Sequence, residues 1–162
     1  MFEPASLAMA AASRDTGTPA VRIQPDYALW MSALSLAGLA RPLADDAKAT
    51  EQATRAARAW LGVLDRGDHA ASWERAAPLF RAALEPGRWD RAVRAVRAPL
   101  GRCRSRTLRS RQLVDSLSGG PRGPYAVIQF ETAFETRADA VETVTPALGC
   151  DGRWRVAGYF IR

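Results

Sequence analysis

The apolar residues in the first half of the folded region recur at helical spacing. From Asp46 onward they return every three or four positions as one stripe that ends near Leu64. The next four residues, Asp-Arg-Gly-Asp, predict a helix end at Gly67 and a new N-cap at Asp68, whose carboxylate accepts hydrogen bonds from free amide groups. We therefore expect a long amphipathic helix, a tight turn and a second helix that begins at His69.

Prolines divide the rest of this helical region. Pro78 predicts a break between two short helices, because proline lacks the amide hydrogen that continues a helix. Pro86 is a favourable first-turn residue, and apolar residues at helical spacing follow it as far as Leu100. Pro99 and Gly101 then end the last helix.

A period of two replaces the helical period after Gly101. Alternation between turn sequences predicts four strands, at 102–116, 125–135, 140–148 and 153–162. In the second strand, four apolar residues at even positions face one side: Ala126, Ile128, Phe130 and Phe134. Gln129, Glu131 and Glu135 face the other side, which is typical of a half-buried strand. Helices followed by antiparallel strands predict an α+β domain, with N-terminal helices packed on one face of a four-stranded antiparallel sheet. We expect most tryptophans to lie in the core between these layers.

The N-terminal region has a different pattern. Residues 1–26 mix Ala, Pro, Gly and Ser without a period, which predicts a disordered extension. Within 27–45, the run Ala28–Ala40 has no charge, is too short for a membrane-spanning helix and is typical of an export signal. A hydrophobic anchor and an ordinary helix remain alternatives. We expect residues 46–162 to form a single periplasmic or secreted domain, or a cytoplasmic one if the run is not a signal.

The composition is that of a soluble globular protein, but the charge is uneven. The 162 residues are 48% hydrophobic and 25% charged, with a net charge of +6. Residues 88–111 hold nine arginines and the single acid Asp90, a net +8, so the remainder is slightly acidic. Because Lys48 is the one lysine among 23 basic residues, a coding bias toward arginine weakens any argument from arginine alone.

Several stretches together resemble a known family. The sequences "AWLGVLDRGDHAASWERAAPLFRAAL", "SRTLRS", "YAVIQFETAF", "AVETVTP" and "DGRWRVAGYFIR" follow in the order of the bacterial domain-of-unknown-function family numbered 4019. The resemblance covers about residues 51–162. It implies a curved sheet in a cystatin-like or nuclear-transport-factor-two-like cone, often behind an export signal, with no assigned activity. An aromatic commonly takes the place of His69 in that family, so the resemblance transfers no catalytic residue.

The one histidine offers the most reactive-looking group. His69 follows Asp65 and Asp68, and a carboxylate can orient an imidazole for acid–base catalysis. With no nucleophile nearby, we interpret the stretch as a turn with His69 exposed to solvent. One histidine and two distant cysteines, Cys103 and Cys150, do not make a zinc site, so we predict no metal or cofactor. The cysteines should begin one strand and follow another at its far end, and therefore stay unpaired.

An enzyme remains an alternative. A cone can enclose a pocket in which an acid or a tyrosine performs isomerase or dehydratase chemistry. The candidate groups are Tyr125, Glu131, Glu142 and Tyr159. This reading rests on fold analogy alone, and a fold does not determine a function.

The arginines favour a non-enzymatic binding module instead. The candidate residues project from the last helix and from one face of the first strand: Arg88, Arg91, Arg94, Arg102, Arg104 and Arg106. Such a patch suits an acidic protein or an anionic surface, and its alternative is a merely solvated face. The sequence has no nucleic-acid-binding motif and predicts no transmembrane helix, while a homodimer through the sheet stays open.

Overall fold

A computed structural model describes residues 44–117 and 120–162. The helices are α1 (Ala44–Asp65), α2 (His69–Glu74), α3 (Pro78–Ala83), α4 (Pro86–Arg97) and a 3-10 turn (Ala98–Leu100); the strands are β1 (Cys103–Val114), β2 (Tyr125–Phe134), β3 (Ala140–Leu148) and β4 (Trp154–Ile161). The predicted extension 1–26 and the apolar run 28–40 lie outside the described residues. Within the described ranges, none of the helices combines the length and apolarity needed to cross a bilayer.

The strands form one antiparallel sheet in the order β1-β2-β3-β4, and α1 packs across it. Ile128 and Phe130 of β2 are fully buried against Leu61 of α1, whereas Glu131, the residue after Phe130, is exposed on the opposite face. The predicted α+β class and the predicted alternation along β2 are confirmed. The inner face of the sheet and the helices thus enclose the main core.

Tryptophans join the helices to one another. Trp60 and Trp89 are 4% and 1% exposed, and their ring centroids lie 5.8 Å apart. Both indole groups donate to the buried Ser72 of α2: Trp60 Nε1 to its carbonyl oxygen at 2.7 Å and Trp89 Nε1 to its Oγ at 2.9 Å. Buried indoles thereby keep their hydrogen bonds while filling the core, and they hold α2 between α1 and α4.

The turn between α1 and α2 forms as predicted, but the exposure of its histidine differs from the prediction. Gly67 has a φ of 75°, and the Asp68 side chain caps α2 by accepting from the Ala71 amide at 3.0 Å. The prediction that His69 is exposed is wrong: its side chain is 11% exposed, and Nδ1 lies 2.8 Å from Oδ1 of Asp90. The reason is tertiary, because α4 packs against α2 and covers its first turn.

The two edges of the sheet differ. At β4, the Ala77 amide donates to the Val156 carbonyl at 2.7 Å, and none of the eight residues of the strand is exposed. Seven of the twelve residues of β1 are exposed. The pairing of β1 with β2 also shifts twice, between Cys103 and Ser105 and between Leu108 and Ser110, as at β-bulges.

The cysteines are free, as predicted. Cys103 begins β1, and Cys150 lies in the turn after β3. Because the strands form a simple meander, these two positions fall at opposite ends of the sheet.

Candidate functional site

A fully buried carboxylate lies at the centre of the most polar region of the core. Glu142 occupies an inward position of β3 with no exposed side-chain surface. Its Oε1 accepts from Arg97 Nη1 at 3.3 Å and from the Tyr159 hydroxyl at 2.7 Å. Its Oε2 accepts from Arg106 Nε at 2.6 Å and from Thr132 Oγ1 at 2.7 Å. Both oxygens therefore have two donors each.

Asp65, the last residue of α1, completes the cluster. Its Oδ1 accepts from Arg97 Nη2 at 2.5 Å, and Arg106 forms a bidentate pair with it at 2.7 and 3.1 Å. The Asp65 side chain is 27% exposed, so it is the most accessible member. We call Asp65, Arg97, Arg106, Glu142, Tyr159 and Thr132 the buried charge cluster. Its two guanidinium groups and two carboxylates balance.

The members of the buried charge cluster shift one another's pKa values. Burial alone raises the pKa of Asp65, but the hydrogen bond and charge of Arg106, with those of Arg97, bring that pKa below its usual value. Burial lowers the pKa of each arginine, but their acidic partners raise it above the ordinary value overall. Burial, followed by the charge of Glu142, raises the pKa of Tyr159 well above its normal range. Near neutral pH the phenol is thus neutral and both guanidinium groups are charged.

Two of the four candidate enzyme residues meet in this cluster and two do not. Glu142 and Tyr159 are hydrogen-bonded, whereas Tyr125 lies near the start of β2 and donates to the Pro121 carbonyl at 2.8 Å. Glu131 faces outward with 63% of its side chain exposed, 3.6 Å from Arg109. Because the chain itself supplies four donors to Glu142, a substrate would have to displace one of them.

A cavity lies away from the cluster, between the start of α3 and the loop before β2. Its volume is about 220 Å³, and its lining includes Pro78, Pro121, Tyr125 and Arg155. The lining is mainly apolar in character and holds no carboxylate. In the part of the chain that the structure describes, no group of three or more His, Cys, Asp or Glu side chains is placed to hold a metal ion.

The predicted arginine face is divided by the first bulge. The prediction that Arg102, Arg104 and Arg106 share one exposed face is wrong for Arg106, whose side chain is only 11% exposed. Arg104 is 68% exposed and pairs with Glu135 at 3.0 Å. The extra residue between Cys103 and Ser105 is the physical reason, because a bulge shifts the alternation of side chains by one position.

The other arginines form two separate groups. On α4, Arg88 and Arg91 are exposed and have no ion pair among the described residues, while Arg94 contacts both oxygens of Asp90 at 2.9 Å. Along β1 lies what we call the β1 arginine row: Arg102, Arg104, Arg109 and Arg111. Arg88 lies about 14 Å from the end of α4 at 1.5 Å per residue, so the α4 group extends well away from the end of the helix that leads into β1.

Sequence reasoning missed Arg97 and the inward role of Arg106 altogether. A signal existed for Arg97, because it follows Val93 by four residues and continues the stripe of Trp89. Glu142 also stood at an inward position, in phase with Val144. A charged residue on an apolar stripe indicates a buried partner.

The match to a family model includes this whole region. A model described as protein of unknown function (DUF4019) matches residues 56–159. The chain belongs to the DUF4019 family. The resemblance found in the sequence is thus confirmed at the level of the family. No curated protein and no solved structure matches the chain.

The arginines of the buried charge cluster and those of the β1 arginine row all lie inside the DUF4019 region. Every member of the buried charge cluster and of the β1 arginine row falls between residues 56 and 159. The description of DUF4019 gives no activity, so the surface and the core of this chain are what bear on its function.

Proposed function

We propose that this DUF4019 domain acts by binding an anionic partner along the β1 arginine row. The observation that carries the proposal is the exposure of β1, on which seven of twelve residues are exposed and no acid occurs. Arg102 and Arg111 are exposed and have no ion pair within the described ranges. Their charge is therefore available to a partner.

The other two members of the row have only weak local partners. Arg104 pairs with Glu135 at 3.0 Å, and Arg109 pairs with Glu131 at 3.6 Å. Each of these four side chains is at least one-third exposed. Exposed pairs of this kind contribute about 0–1 kcal/mol, so an acidic partner can replace them at little cost. From Arg102 to Arg111 the chain makes nine extended steps, which span about 30 Å and suit an extended polyanion better than a small anion.

The triple variant Arg102→Gln, Arg104→Gln and Arg111→Gln tests the proposal. It should elute from a sulfated polysaccharide matrix at clearly lower salt than the wild type, because binding with fewer charge contacts releases fewer counterions. Its melting temperature should change little, since exposed substitutions usually alter stability by less than about 0.5 kcal/mol.

A matched variant separates this site from total charge. Arg55→Gln, Arg66→Gln and Arg75→Gln also remove three exposed positive charges, but from the helices and their turns. This control should elute close to the wild type. If both triple variants elute at the same salt, retention depends on net charge alone and the proposal fails.

The alternative function is a small-molecule isomerase or dehydratase. The observation in its favour is the convergence of Glu142, Tyr159 and two arginines on the inner face of the sheet. Their mutual hydrogen bonds, and a cavity that lies elsewhere, favour binding over catalysis. Titration with small enolisable carbonyl compounds, followed by the NMR signals of Tyr159, should show no saturable change. Saturable shifts at that ring would favour the enzyme.

The same proposal includes export to the periplasm or the medium. It is supported by the charge-free run Ala28–Ala40 and the small residues that follow it. Cleavage near Ala40 to Ala44 would leave nearly all of α1 intact. N-terminal sequencing of protein made in a native-like bacterial host should find this new terminus. Recovery of intact protein from the cytoplasm alone would contradict export.

A further inference from the structure

The sheet offers one edge to a partner and closes the other. At β4, helices α1 and α3 pack along the strand, and the Ala77 amide already uses the Val156 carbonyl. At β1, no other strand within 44–117 or 120–162 pairs with the outer edge. About half of the amide and carbonyl groups of such an edge strand point away from the sheet, ready to pair with another chain.

The charge of β1 decides which chain can pair there. The strand holds Arg104, Arg106, Arg109 and Arg111 and no acid, and both bulges place an arginine, Arg104 or Arg109, at the extra position. Two copies paired edge to edge would bring like charges together, which is unfavourable. The same charges attract an acidic strand, so they exclude one partner and select another.

We propose that the open edge of β1 receives an extended acidic segment of a partner protein as a fifth strand. This inference rests on the proposed binding function and adds the form of the partner. The regular stretches 105–108 and 110–114 would supply the backbone hydrogen bonds. The longer stretch contains Arg111, whose side chain is exposed and unpaired among the described residues. Acidic side chains of the added strand would lie against the β1 arginine row.

A synthetic dodecapeptide of alternating Glu and Thr is the probe. Its binding to the full chain is measured by NMR, together with amide hydrogen exchange in β1. Amides of residues 105–108 and 110–114 that exchange freely in the protein alone should become protected with the peptide. Strand addition predicts this protection because new backbone hydrogen bonds form, whereas simple charge attraction does not.

Two comparisons separate backbone pairing from charge. The same peptide, N-methylated at its four central residues, keeps its charge but can no longer donate backbone hydrogen bonds from those residues, and it should bind at least about tenfold more weakly. The variant Arg104→Gln, Arg109→Gln and Arg111→Gln should also weaken the unmethylated peptide at least about tenfold at low salt. The helix control variant defined above should bind it like the wild type.

The results assign failure to one idea or the other. If the methylated peptide binds equally well and no β1 amide gains protection, the strand-addition inference is overturned. The proposed function still stands in that case, provided that matrix retention depends on the β1 arginine row. Both ideas are overturned if the peptide binds the Arg104, Arg109 and Arg111 variant like the helix control and the matrix retains the Arg102, Arg104 and Arg111 variant like that control. Protection that requires both the row and free peptide amides supports the inference.

Discussion

Replacing Glu142 by glutamine tests whether the buried charge cluster is a structural unit. Glutamine keeps the shape of glutamate but exchanges one carboxylate oxygen for an NH₂ group. In either orientation that group faces an arginine donor, Arg97 on one side or Arg106 on the other. A guanidinium group has no acceptor, so one hydrogen bond is lost and two donors are brought together.

The expected loss of stability follows from burial. A hydrogen bond to a charged group contributes about 1.5–3 kcal/mol, and the variant also leaves two buried guanidinium groups with one carboxylate. Removing one partner of a buried ion pair typically costs about 3–5 kcal/mol. We expect Glu142→Gln to lower the free energy of unfolding by that amount, and the melting temperature by roughly 10 °C or more. Urea unfolding followed by tryptophan fluorescence measures it.

Glu131→Gln is the matched control. Glu131 lies on the neighbouring strand, points outward and pairs with Arg109 at 3.6 Å, with 63% of its side chain exposed. Its replacement should change the free energy of unfolding by less than about 0.5 kcal/mol. If Glu142→Gln costs less than about 1 kcal/mol, or no more than the control, the buried charge cluster is not a unit that stabilises the fold.

Three further predictions concern other groups. Because the pKa of Asp65 is lowered in the folded protein, the stability that this carboxylate contributes is present above its usual pKa near 3.8 and is lost as the pH falls below that value. In Asp65→Asn, the urea concentration at the unfolding midpoint should therefore fall less steeply below about pH 4 than in the wild type. His69→Ala should lower the free energy of unfolding by more than about 0.5 kcal/mol, and Asp68→Ala by about 1 kcal/mol through the lost cap, both in urea titrations. Thiol titration of denatured, unreduced protein should find Cys103 and Cys150 free; two blocked thiols would contradict the strand order.

Features that depend on near neighbours in the chain were predictable. The positive φ of Gly67 and the cap at Asp68 follow from the chemistry of a few consecutive residues. The alternation along β2 follows from its period of two, which no bulge in that strand interrupts. The break between α2 and α3 at Pro78 likewise reflects the absence of an amide hydrogen on a single residue.

The buried charge cluster could not be predicted in this way. Its ion pairs join residues 32 to 45 positions apart, such as Arg97 with Asp65 and with Glu142. A reading of local patterns places arginine on the surface, because unpaired arginine is almost never buried. The bulge after Cys103 adds a second difficulty, since a single extra residue turned Arg106 inward and left Arg104 outside.

The two arginine populations therefore require different experiments. Arg106 holds the start of β1 to Asp65 of α1 and Glu142 of β3, so its replacement would leave buried carboxylates without partners. A loss of binding in Arg106→Gln would then report a disturbed core and not a lost contact. Arg109 and Arg111 lie further along the same strand, where exposure is high and no buried acid depends on them. A variant that removes these charges and spares Arg106 can change the binding surface while the fold that presents it stays intact.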